Sequence, residues 1–452
     1  MTEGVNTLLS TAADWLQARM IGPDVPFNGV CSDSRSVAAG SLFIALRGPN
    51  HDAHQHVAAA AEAGAVAALV EHPVDCVIPQ IIVSDSRIAL GQLAAAWRHE
   101  LATPLVAVTG SNGKTTVKEM CAAILGEAGE TLATRGNFNN DIGMPLTLLR
   151  LQKAHQYGVI EMGANHPGEI ATLTNIARPQ VAIINNAAAA HLEGFGSLEG
   201  VARAKAEIFE GLGDNGVAVI NADDQFAPLW RELTATKQVL SFGLEQAADI
   251  SARWQGDVYG SRLEVTTPVD EFRVDLALPG HHNVMNALAA IAAATALNID
   301  SQQIVAGLES MKAVGGRLQT RRGINNSTVL DDSYNANPAS MQVGLQVLAE
   351  CSGQRYLALG DMGELGDEAA ELHRQVGDEA RRVGIDRLYA SGELSRGAAE
   401  AFGENGHFFT EQQQLIEALL PEMKNDVTVL VKGSRSSHME RVVEAISAGG
   451  EG

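Results

Sequence analysis

The sequence predicts an α/β fold built from three domains. Short apolar runs recur along the chain and alternate with longer stretches of helical periodicity, which is typical of parallel sheets covered by helices. A glycine-rich turn joins one such run to a helix in the manner of a phosphate-binding loop. The chain has 452 residues, and that length suits about two to four domains.

Three segments can be separated by their patterns. Residues 1–84 contain short strand-like runs and an alanine-rich helix at 57–63. Residues 85–314 continue the alternation of strands and helices, and within them residues 246–278 alternate apolar and polar side chains as an antiparallel sheet does. Residues 315–452 form a second unit of alternating strands and helices. We therefore predict domain boundaries near residues 84 and 314.

The composition excludes several classes of function. The net charge is -22, and nucleic-acid phosphates would be repelled by it, so no nucleic-acid partner is expected. The four cysteines are far apart and show no metal-ligand spacing, which favours a reducing, cytoplasmic location. No apolar run reaches about 18 residues, so we expect no membrane insertion.

The phosphate-binding loop is residues 109–116, which read Thr-Gly-Ser-Asn-Gly-Lys-Thr-Thr. An apolar run precedes it and a helical pattern follows it, so backbone N–H groups at a helix start would face the phosphates. Lys114 can reach the terminal phosphates, and the hydroxyl of Thr115 can hold magnesium. The usual first glycine of such loops is replaced by Val108, so the loop is shorter than in ordinary GTPases and helicases.

Three further side chains could carry chemistry, although the residues alone leave each one open. Glu161 ends an apolar run, where a carboxylate could bind magnesium or could be a surface residue in a turn. His191 follows the next apolar run in a glycine-punctuated loop, where it could be a metal ligand, an orienting group or a structural histidine. Lys205 lies in a helical stretch, where a solvated lysine is the simplest interpretation.

Two asparagine-containing segments are also candidates. Residues 136–145 form an amide-rich loop bounded by glycine, which could supply donors and acceptors to a polar ligand or could be a turn. Asn283 stands at the start of a predicted helix, where it could be the N-cap or could face a nucleotide.

The third segment contributes Arg317 and three polar motifs, at 331–338, 360–366 and 432–436. The three motifs follow strand-like runs, so they should collect at one edge of a sheet. Two carboxylate-rich loops and one basic loop that face a phosphate-binding domain predict a cleft between domains.

Together these motifs resemble the Mur ligase family, the ATP-dependent amide ligases of peptidoglycan synthesis, along essentially the whole chain. The features that carry the resemblance are the shortened loop 109–116, Glu161, His191, Asn283 and Arg317. The resemblance implies a small N-terminal α/β domain for a UDP-linked substrate, a central ATPase domain with a parallel sheet and a C-terminal Rossmann-like α/β domain.

Five segments are similar to one branch of that family, whose members join D-alanyl-D-alanine to a UDP-N-acetylmuramoyl-tripeptide. These segments are Asp33-Ser34-Arg35 and residues 43–48, 136–143, 332–338 and 360–366. The resemblance implies an acyl-phosphate mechanism that consumes ATP and releases ADP and phosphate. It also implies these two substrates as partners, and we expect a monomer.

The resemblance assigns roles to individual residues. The implied catalytic residues are Lys114, Lys205 and His191, and the implied ligands of Mg²⁺ are Thr115, Glu161, His191 and Lys205, with Lys205 carrying a carbamate. The implied ATP-binding residues are Gly110, Ser111, Asn112, Gly113, Lys114, Thr115, Thr116, Asn283, Arg317 and Asp332. The implied substrate-binding residues are Ser34, Arg35, Asn137, Asn139, Asn140, Asn335 and Asn337.

Two alternatives remain open at this point. A different Mur-type ligase or a folylpolyglutamate ligase would share the central loop, but the folate enzyme lacks the domain that contains Asp33-Ser34-Arg35. A nucleotide-switched binding protein could use the loop as a sensor, but the acidic and basic loops of the third segment argue against it.

Overall fold

The computed structural model describes residues 4–48, 50–189, 192–257 and 259–449. Three main sheets of five, six and six strands follow one another along the chain, and helices cover them. The predicted α/β fold with three sheet-containing parts is confirmed. Among the described residues, no helix combines the length and the apolar character needed to cross a membrane.

The N-terminal part is built on a five-stranded sheet with the order β2-β9-β8-β5-β4, in which only β2 is antiparallel to its neighbour. Its elements are β1 (Asn6–Leu8), α1 (Leu9–Trp15), β2 (Arg19–Ile21), β3 (Pro26–Asn28), β4 (Val30–Cys31), β5 (Leu42–Ile44), β6 (Arg47–Gly48), β7 (His51–Asp52), α2 (Val57–Glu62), β8 (Ala67–Val70), β9 (Gln80–Ile82) and α3 (Ser86–Glu100).

The central part is built on a six-stranded parallel sheet with the order β11-β12-β10-β13-β14-β15. Its elements are β10 (Leu105–Thr109), α4 (Lys114–Ala128), β11 (Thr131–Ala133), α5 (Gly143–Leu148), β12 (Tyr157–Glu161), α6 (Glu169–Ala177), β13 (Val181–Ile184), α7 (Leu192–Phe195), α8 (Leu198–Ala206), β14 (Val217–Asn221), α9 (Ala227–Leu233), β15 (Gln238–Phe242), β16 (Ser251–Gly256), β17 (Ser261–Thr266), β18 (Glu271–Leu276), α10 (His281–Ala296) and α11 (Ser301–Glu309).

The C-terminal part is built on a six-stranded sheet with the order β19-β20-β24-β21-β22-β23, in which only β19 is antiparallel. Its elements are β19 (Gln319–Arg322), β20 (Thr328–Asp332), α12 (Pro338–Ala349), β21 (Gln354–Gly360), α13 (Ala369–Arg382), β22 (Arg387–Ser391), α14 (Ser395–Phe402), β23 (Gly406–Phe409), α15 (Gln412–Leu419), β24 (Val427–Lys432) and α16 (Glu440–Ile446). Short 3₁₀ helices occur at Ala53–His56, Glu207–Gly211, Ile324–Asn326, Gly366–Glu368, Leu420–Glu422 and Arg435–Ser437.

The central sheet forms because its strands are continuously apolar. Every residue of β10 is buried, since β12 and β13 flank it and helices cover both faces. On one face lies α10, whose alanine-rich sequence lets it approach α4 and the sheet closely. This packing fixes the start of α4, and therefore the phosphate-binding loop, against the start of α10.

The predicted antiparallel appendix is confirmed in β16, β17 and β18. Along β17, Leu263 and Val265 are buried and alternate with exposed Arg262 and Glu264. One face of this small sheet packs on the core that contains α10, as the alternation of side chains requires.

The division of the chain near residue 84 is less sharp in the packing than in the sequence pattern. Helix α3 begins at Ser86, yet Leu90 and Leu93 share one hydrophobic core with Leu42 of β5 and Leu105 of β10. The core is thus continuous across this junction, and the boundaries at residues 84 and 314 stay predictions.

Candidate active site

One cavity of about 620 Å³ lies where the central and C-terminal sheets face each other. It is bordered by the carboxyl ends of β10, β12, β13, β20 and β24, which is where open α/β sheets bind their ligands. The predicted site residues that line it are Ser111, Asn112, Gly113, Lys114, Thr115, Thr116, Asn137, Asn139, Asn140, Glu161, Lys205, Asn283, Arg317, Asp332, Asn335 and Asn337. The structure therefore brings together residues that lie more than two hundred positions apart in the chain.

Gly113 shapes the phosphate-binding loop. It precedes α4 with a φ of 77°, in the left-handed region that favours glycine. A Cβ at this position would lie 2.4 Å from Oδ1 of Asn286 and 2.5 Å from Nδ2 of Asn185. Only glycine lets the loop turn this closely against the two asparagines, so the loop's path is fixed by close packing as well as by its own flexibility.

The amides after β13 hold the phosphate-binding loop. Asn185 donates from Nδ2 to the carbonyl of Asn112 at 3.0 Å, and the backbone N–H of Asn112 donates to Oδ1 of Asn186 at 2.9 Å. The hydroxyl of Ser111 donates to the carbonyl of Ala188 at 3.0 Å, and its oxygen accepts from the N–H of Ala188 at 2.9 Å. The side chain of Ser111 thus joins two loops.

Lys114 is the first residue of α4, and its ammonium turns back over its own loop. It donates to the carbonyls of Gly110 at 2.7 Å and Ser111 at 3.4 Å. Burial lowers the pKa of Lys114, while the charge of Glu161 acts in the opposite direction.

Glu161 ends β12 and is only 2% exposed, so the interpretation as a surface turn residue was wrong. The strand register pairs it with Val108, directly before the loop. Its carboxylate accepts from the hydroxyl of Thr115 at 3.0 Å and from Nδ2 of Asn139 at 2.8 Å. This places hard oxygen donors next to each other, and such donors suit Mg²⁺.

Lys205 is buried near the end of α8, so the interpretation as a solvated helix lysine was wrong as well. Burial and the nearby charge of Lys114 lower the pKa of Lys205 to about 7. The ammonium nitrogen lies 5.7 Å from the ring centre of Phe195. The amine is therefore partly neutral at neutral pH. His191, predicted to lie beside it, falls outside the described residues.

Asn283 lies inside the first turn of α10, and the N-cap position is Gly280. The interpretation of Asn283 as an N-cap was therefore wrong. It donates from Nδ2 to the carbonyl of Pro279 at 2.8 Å, and one turn later Asn286 accepts from Asn185 at 2.8 Å. Asn283 lines the cavity and remains available to a nucleotide as a predicted contact.

The C-terminal part contributes a cationic stack and a buried ion pair. The guanidinium of Arg317 lies 4.4 Å from the ring centre of Tyr334. Asp332, the last residue of β20, accepts at Oδ2 from Lys432 at 2.5 Å and at Oδ1 from the N–H of Leu318 at 3.1 Å. Burial raises the pKa of Asp332, and Lys432 acts against that rise.

The amide-rich loop before α5 is partly a turn and partly a wall of the cavity. Asn140 accepts at Oδ1 from the N–H of Gly143 at 2.8 Å, which starts α5. The neighbouring Asp141 is held by Arg87 through two hydrogen bonds, one of them 2.7 Å long. Asn137 and Asn140 line the cavity, so the turn is confirmed and the binding of a polar ligand by this loop stays a prediction.

Among the residues that the structure describes, three predicted site residues do not line this cavity. Gly110 is a buried residue of the loop itself, and Ser34 and Arg35 belong to the N-terminal part. Arg35 donates to both carboxylate oxygens of Asp33, at 2.9 and 2.8 Å, and its side chain is 87% exposed. The roles of Ser34 and Arg35 in substrate binding stay predictions.

The sequence analysis did not assign roles to several residues that build the site. Asn185, Asn186 and Asn286 hold the phosphate-binding loop, and Asp224 accepts from the N–H of Ala187 at 2.8 Å. The available signal was the pair of amides directly after β13 and the spacing of three between Asn283 and Asn286, which puts both on one helix face.

Comparisons with known proteins cover nearly all of this architecture. The Mur ligase family catalytic domain matches residues 26–98, the Mur ligase middle domain matches residues 108–294, and the Mur ligase glutamate ligase domain matches residues 316–435.

Individual relatives match over more than nine-tenths of their length. The UDP-N-acetylmuramoyl-tripeptide–D-alanyl-D-alanine ligase of Escherichia coli K12 is 46% identical over 99% of both chains. A crystal structure of MurF from Acinetobacter baumannii superposes with a TM-score of 0.93 at 37% identity, covering 97% of this chain and 98% of that one. The MurF ligase of Thermotoga maritima in complex with ADP has a TM-score of 0.82 at 29% identity and covers 92% and 96%. The chain belongs to the Mur ligase family.

Proposed function

We propose that this protein is an ATP-dependent, ADP-forming amide ligase that joins D-alanyl-D-alanine to a UDP-N-acetylmuramoyl-tripeptide. One observation carries the proposal. The phosphate-binding loop, the Glu161–Thr115 pair and the Arg317–Asp332 region of another sheet line a single cavity. A ligase needs this arrangement because it must hold a triphosphate beside a second substrate.

In this proposal ATP lies between the two sheets. The β- and γ-phosphates bind at the loop N–H groups and at Lys114, where the helix start adds a partial positive charge. Asn283, Arg317 and Asp332 contact the rest of the nucleotide. The further ATP-binding residues of the loop are Gly110, Ser111, Asn112, Gly113, Thr115 and Thr116.

Magnesium would be held by Thr115 and Glu161, and a second ion by His191 and Lys205. The hydroxyl and carboxylate oxygens of Thr115 and Glu161 fit the preference of Mg²⁺ for hard donors. When bound, Mg²⁺ would neutralise charge on the phosphates during transfer.

Lys205 would carry a carbamate. Its pKa of about 7 leaves a substantial neutral fraction, and only the neutral amine can form an N–C bond to carbon dioxide with loss of a proton. The product presents two anionic oxygens where an ammonium would repel a cation. The chemistry of this donor therefore suits a metal site better after modification.

The reaction proceeds in two steps. The terminal carboxylate of the tripeptide attacks the γ-phosphorus, the bond to the β-phosphate oxygen breaks, and ADP leaves. The amine of D-alanyl-D-alanine then attacks the acyl carbon, loses a proton, and expels phosphate from the tetrahedral intermediate. Lys114 and the loop N–H groups favour the first step by positioning and charge neutralisation.

The UDP-linked substrate would extend from this cavity toward the N-terminal part. Ser34 and Arg35 would contact its uridine diphosphate end. The tripeptide end would lie along the substrate-facing amides, which are Asn137, Asn139, Asn140, Asn335 and Asn337. A monomeric state and a cytoplasmic location complete the proposal.

A phosphate-release assay tests the function. We expect ATP cleavage to require both the UDP-linked tripeptide and D-alanyl-D-alanine. Turnover that ignores the dipeptide but needs a free amino acid would support another Mur-type or folylpolyglutamate ligase. ATP cleavage that no acceptor stimulates would support the nucleotide-switched binding protein.

A further inference from the structure

Lys432 is a buried cation that the proposed chemistry does not use. It ends β24, and its side chain is 2% exposed. Its ammonium donates to Oδ2 of Asp332 at 2.5 Å and to the carbonyl of Asn335 at 2.9 Å. The parallel register of β20 and β24 sets Lys432 directly opposite Asp332. The backbone of two neighbouring strands therefore fixes this ion pair.

The surroundings of the Lys432–Asp332 pair act on the charge of Asp332 in opposite directions. Burial of Asp332 favours the neutral acid and raises its pKa, while Lys432 and Arg317 favour the carboxylate. Burial, followed by the charges of His281 and Lys432, lowers the pKa of His282 to about 4. Arg317 therefore acts on Asp332, and His282 is a titratable group near Lys432.

We propose that Lys432 is a positioning residue for the nucleotide, which keeps Asp332 as an oriented carboxylate and holds the loop of Asn335 to Asn337 in place. Lys432 acts through these residues and does not itself touch the reacting atoms. The inference rests on the proposed ATP site and adds a residue to it. It also gives a role to the basic loop 432–436, which the proposed mechanism leaves unassigned.

Loss of the ammonium has a specific consequence. Without Lys432, Asp332 stays buried with a weaker cationic environment, and it takes up a proton more readily as pH falls. A protonated acid is a poorer acceptor for a nucleotide hydroxyl, so binding should weaken more at low pH. A guanidinium at the same position would keep the charge and part of the contacts.

The experiment measures binding of Mg-ADP to the full-length protein by calorimetry, together with KM for ATP and kcat, at about pH 6 and about pH 8. For Lys432→Met we expect a dissociation constant raised at least about tenfold, more at the lower pH. The loss should appear in KM rather than kcat, and Lys432→Arg should recover much of the affinity. The Asp332→Asn variant should bind Mg-ADP equally weakly at both pH values. The double variant that also contains Lys432→Met should bind Mg-ADP only slightly more weakly than Asp332→Asn does.

Several results would overturn the inference. One is a Lys432→Met variant that binds Mg-ADP as tightly as the wild type. The other is a loss of Mg-ADP affinity that does not depend on pH and is explained by lower thermal stability alone. If Lys432→Met does not fold, the inference is tested by the Mg-ADP affinity of Lys432→Arg and by the pH dependence of Mg-ADP binding to Asp332→Asn. A pH dependence in Asp332→Asn that equals that of the wild type would reject the inference. A wild-type protein that fails to bind Mg-ADP would instead reject the proposed function.

Discussion

Asn337 donates a hydrogen bond of 2.9 Å from its side-chain amide to Oδ1 of Asn112, although 225 positions separate them. Asn112 belongs to the phosphate-binding loop, and Asn337 caps α12 of the C-terminal part by accepting from the N–H of Ser340 at 2.9 Å. The same side chain therefore starts a helix and joins two sheets across the cavity.

Changing Asn337 to aspartate should separate these two tasks. The variant keeps an oxygen for the N–H of Ser340 but loses the donor to Oδ1 of Asn112. We expect KM for ATP to rise about fivefold, the usual effect of one lost hydrogen bond, with little change in thermal stability. Steady-state kinetics and calorimetric unfolding measure the two quantities.

Ser340→Ala is the matched control for that variant. It removes the acceptor of the Asn337 N–H, 3.0 Å away, and leaves the bond between Asn337 and Asn112 intact. We expect lower stability with nearly unchanged KM for ATP. If the two variants change KM equally, the bridge has no role in nucleotide binding and only the helix start matters.

A pair of glycine substitutions on the loop and its helix tests the packing around the phosphate-binding site. Gly113→Ala forces a Cβ to within 2.4 Å of Asn286 in a left-handed conformation. We expect it to lower the free energy of unfolding by about 1–3 kcal/mol and to weaken ATP binding. Gly126→Ala, at an exposed position of α4 with nothing within 4 Å of its Cβ, should instead stabilise by about 0.5–1 kcal/mol. Urea unfolding and ATP titrations measure the stability and the ATP affinity of the two variants. Equal effects of both substitutions would show that Asn286 does not approach Gly113 closely in solution.

The sequence predicts most of the fold because the strands are apolar and the helices periodic. The run at 105–108 could be placed in a parallel sheet because it is continuously apolar, and the structure puts it between β12 and β13. The alternation in β17 likewise predicts one buried face, which packs on the core. These signals are local, so a single sequence is enough to read them.

The sequence predicts the site less completely, since much of it depends on distant contacts. Burial of Lys205 is invisible in a helix that contains charged neighbours, and only the resemblance to a family changed its interpretation. The pairing of Lys432 with Asp332 depends on the order of β20 and β24, which the chain order does not reveal. The link from Asn337 to Asn112 needs two sheets to face each other.

Lys205→Ala tests the proposed carbamate. We expect turnover to be nearly abolished, because the metal-facing oxygens are lost, and to be partly restored by formate or acetate, which supply oxygens to the vacated space. Removal of carbon dioxide should lower the activity of the wild-type protein, and bicarbonate should restore it. Phosphate release measured with and without each additive follows both effects.

Lys114→Ala is the control for the rescue, because a carboxylate cannot replace the ammonium that the phosphates require. It should lose ATP turnover, keep the UDP-linked substrate bound, and show no recovery with small acids. Equal recovery in both variants would mean that the acids act elsewhere. A folded Lys205→Ala protein whose turnover is not restored at all by the acids would indicate that Lys205 is an ordinary buried lysine without a carbamate.

His373 should make the C-terminal part sensitive to acid. It is fully buried in α13, where Nε2 accepts from the N–H of Met362 at 2.9 Å and Nδ1 lies 2.6 Å from the carbonyl of Ala369. These partners require a neutral ring with its proton on Nδ1. Burial lowers the pKa of His373 in the folded state, whereas the unfolded chain has a pKa of about 6.5.

The sign of the effect follows from proton binding. Below about pH 6.5 the unfolded state binds more protons at this residue than the folded state does, so its stabilising contribution is complete above that pH and decreases as pH falls. His373→Gln offers an acceptor to Met362 without titrating. The difference in unfolding free energy between wild type and this variant should therefore be largest near neutral pH and shrink in acid. His99→Gln, on the exposed end of α3, should show no such trend. A difference for His373→Gln that stays constant with pH would contradict this prediction, because it would mean that the folded protein protonates the ring as readily as the unfolded chain does.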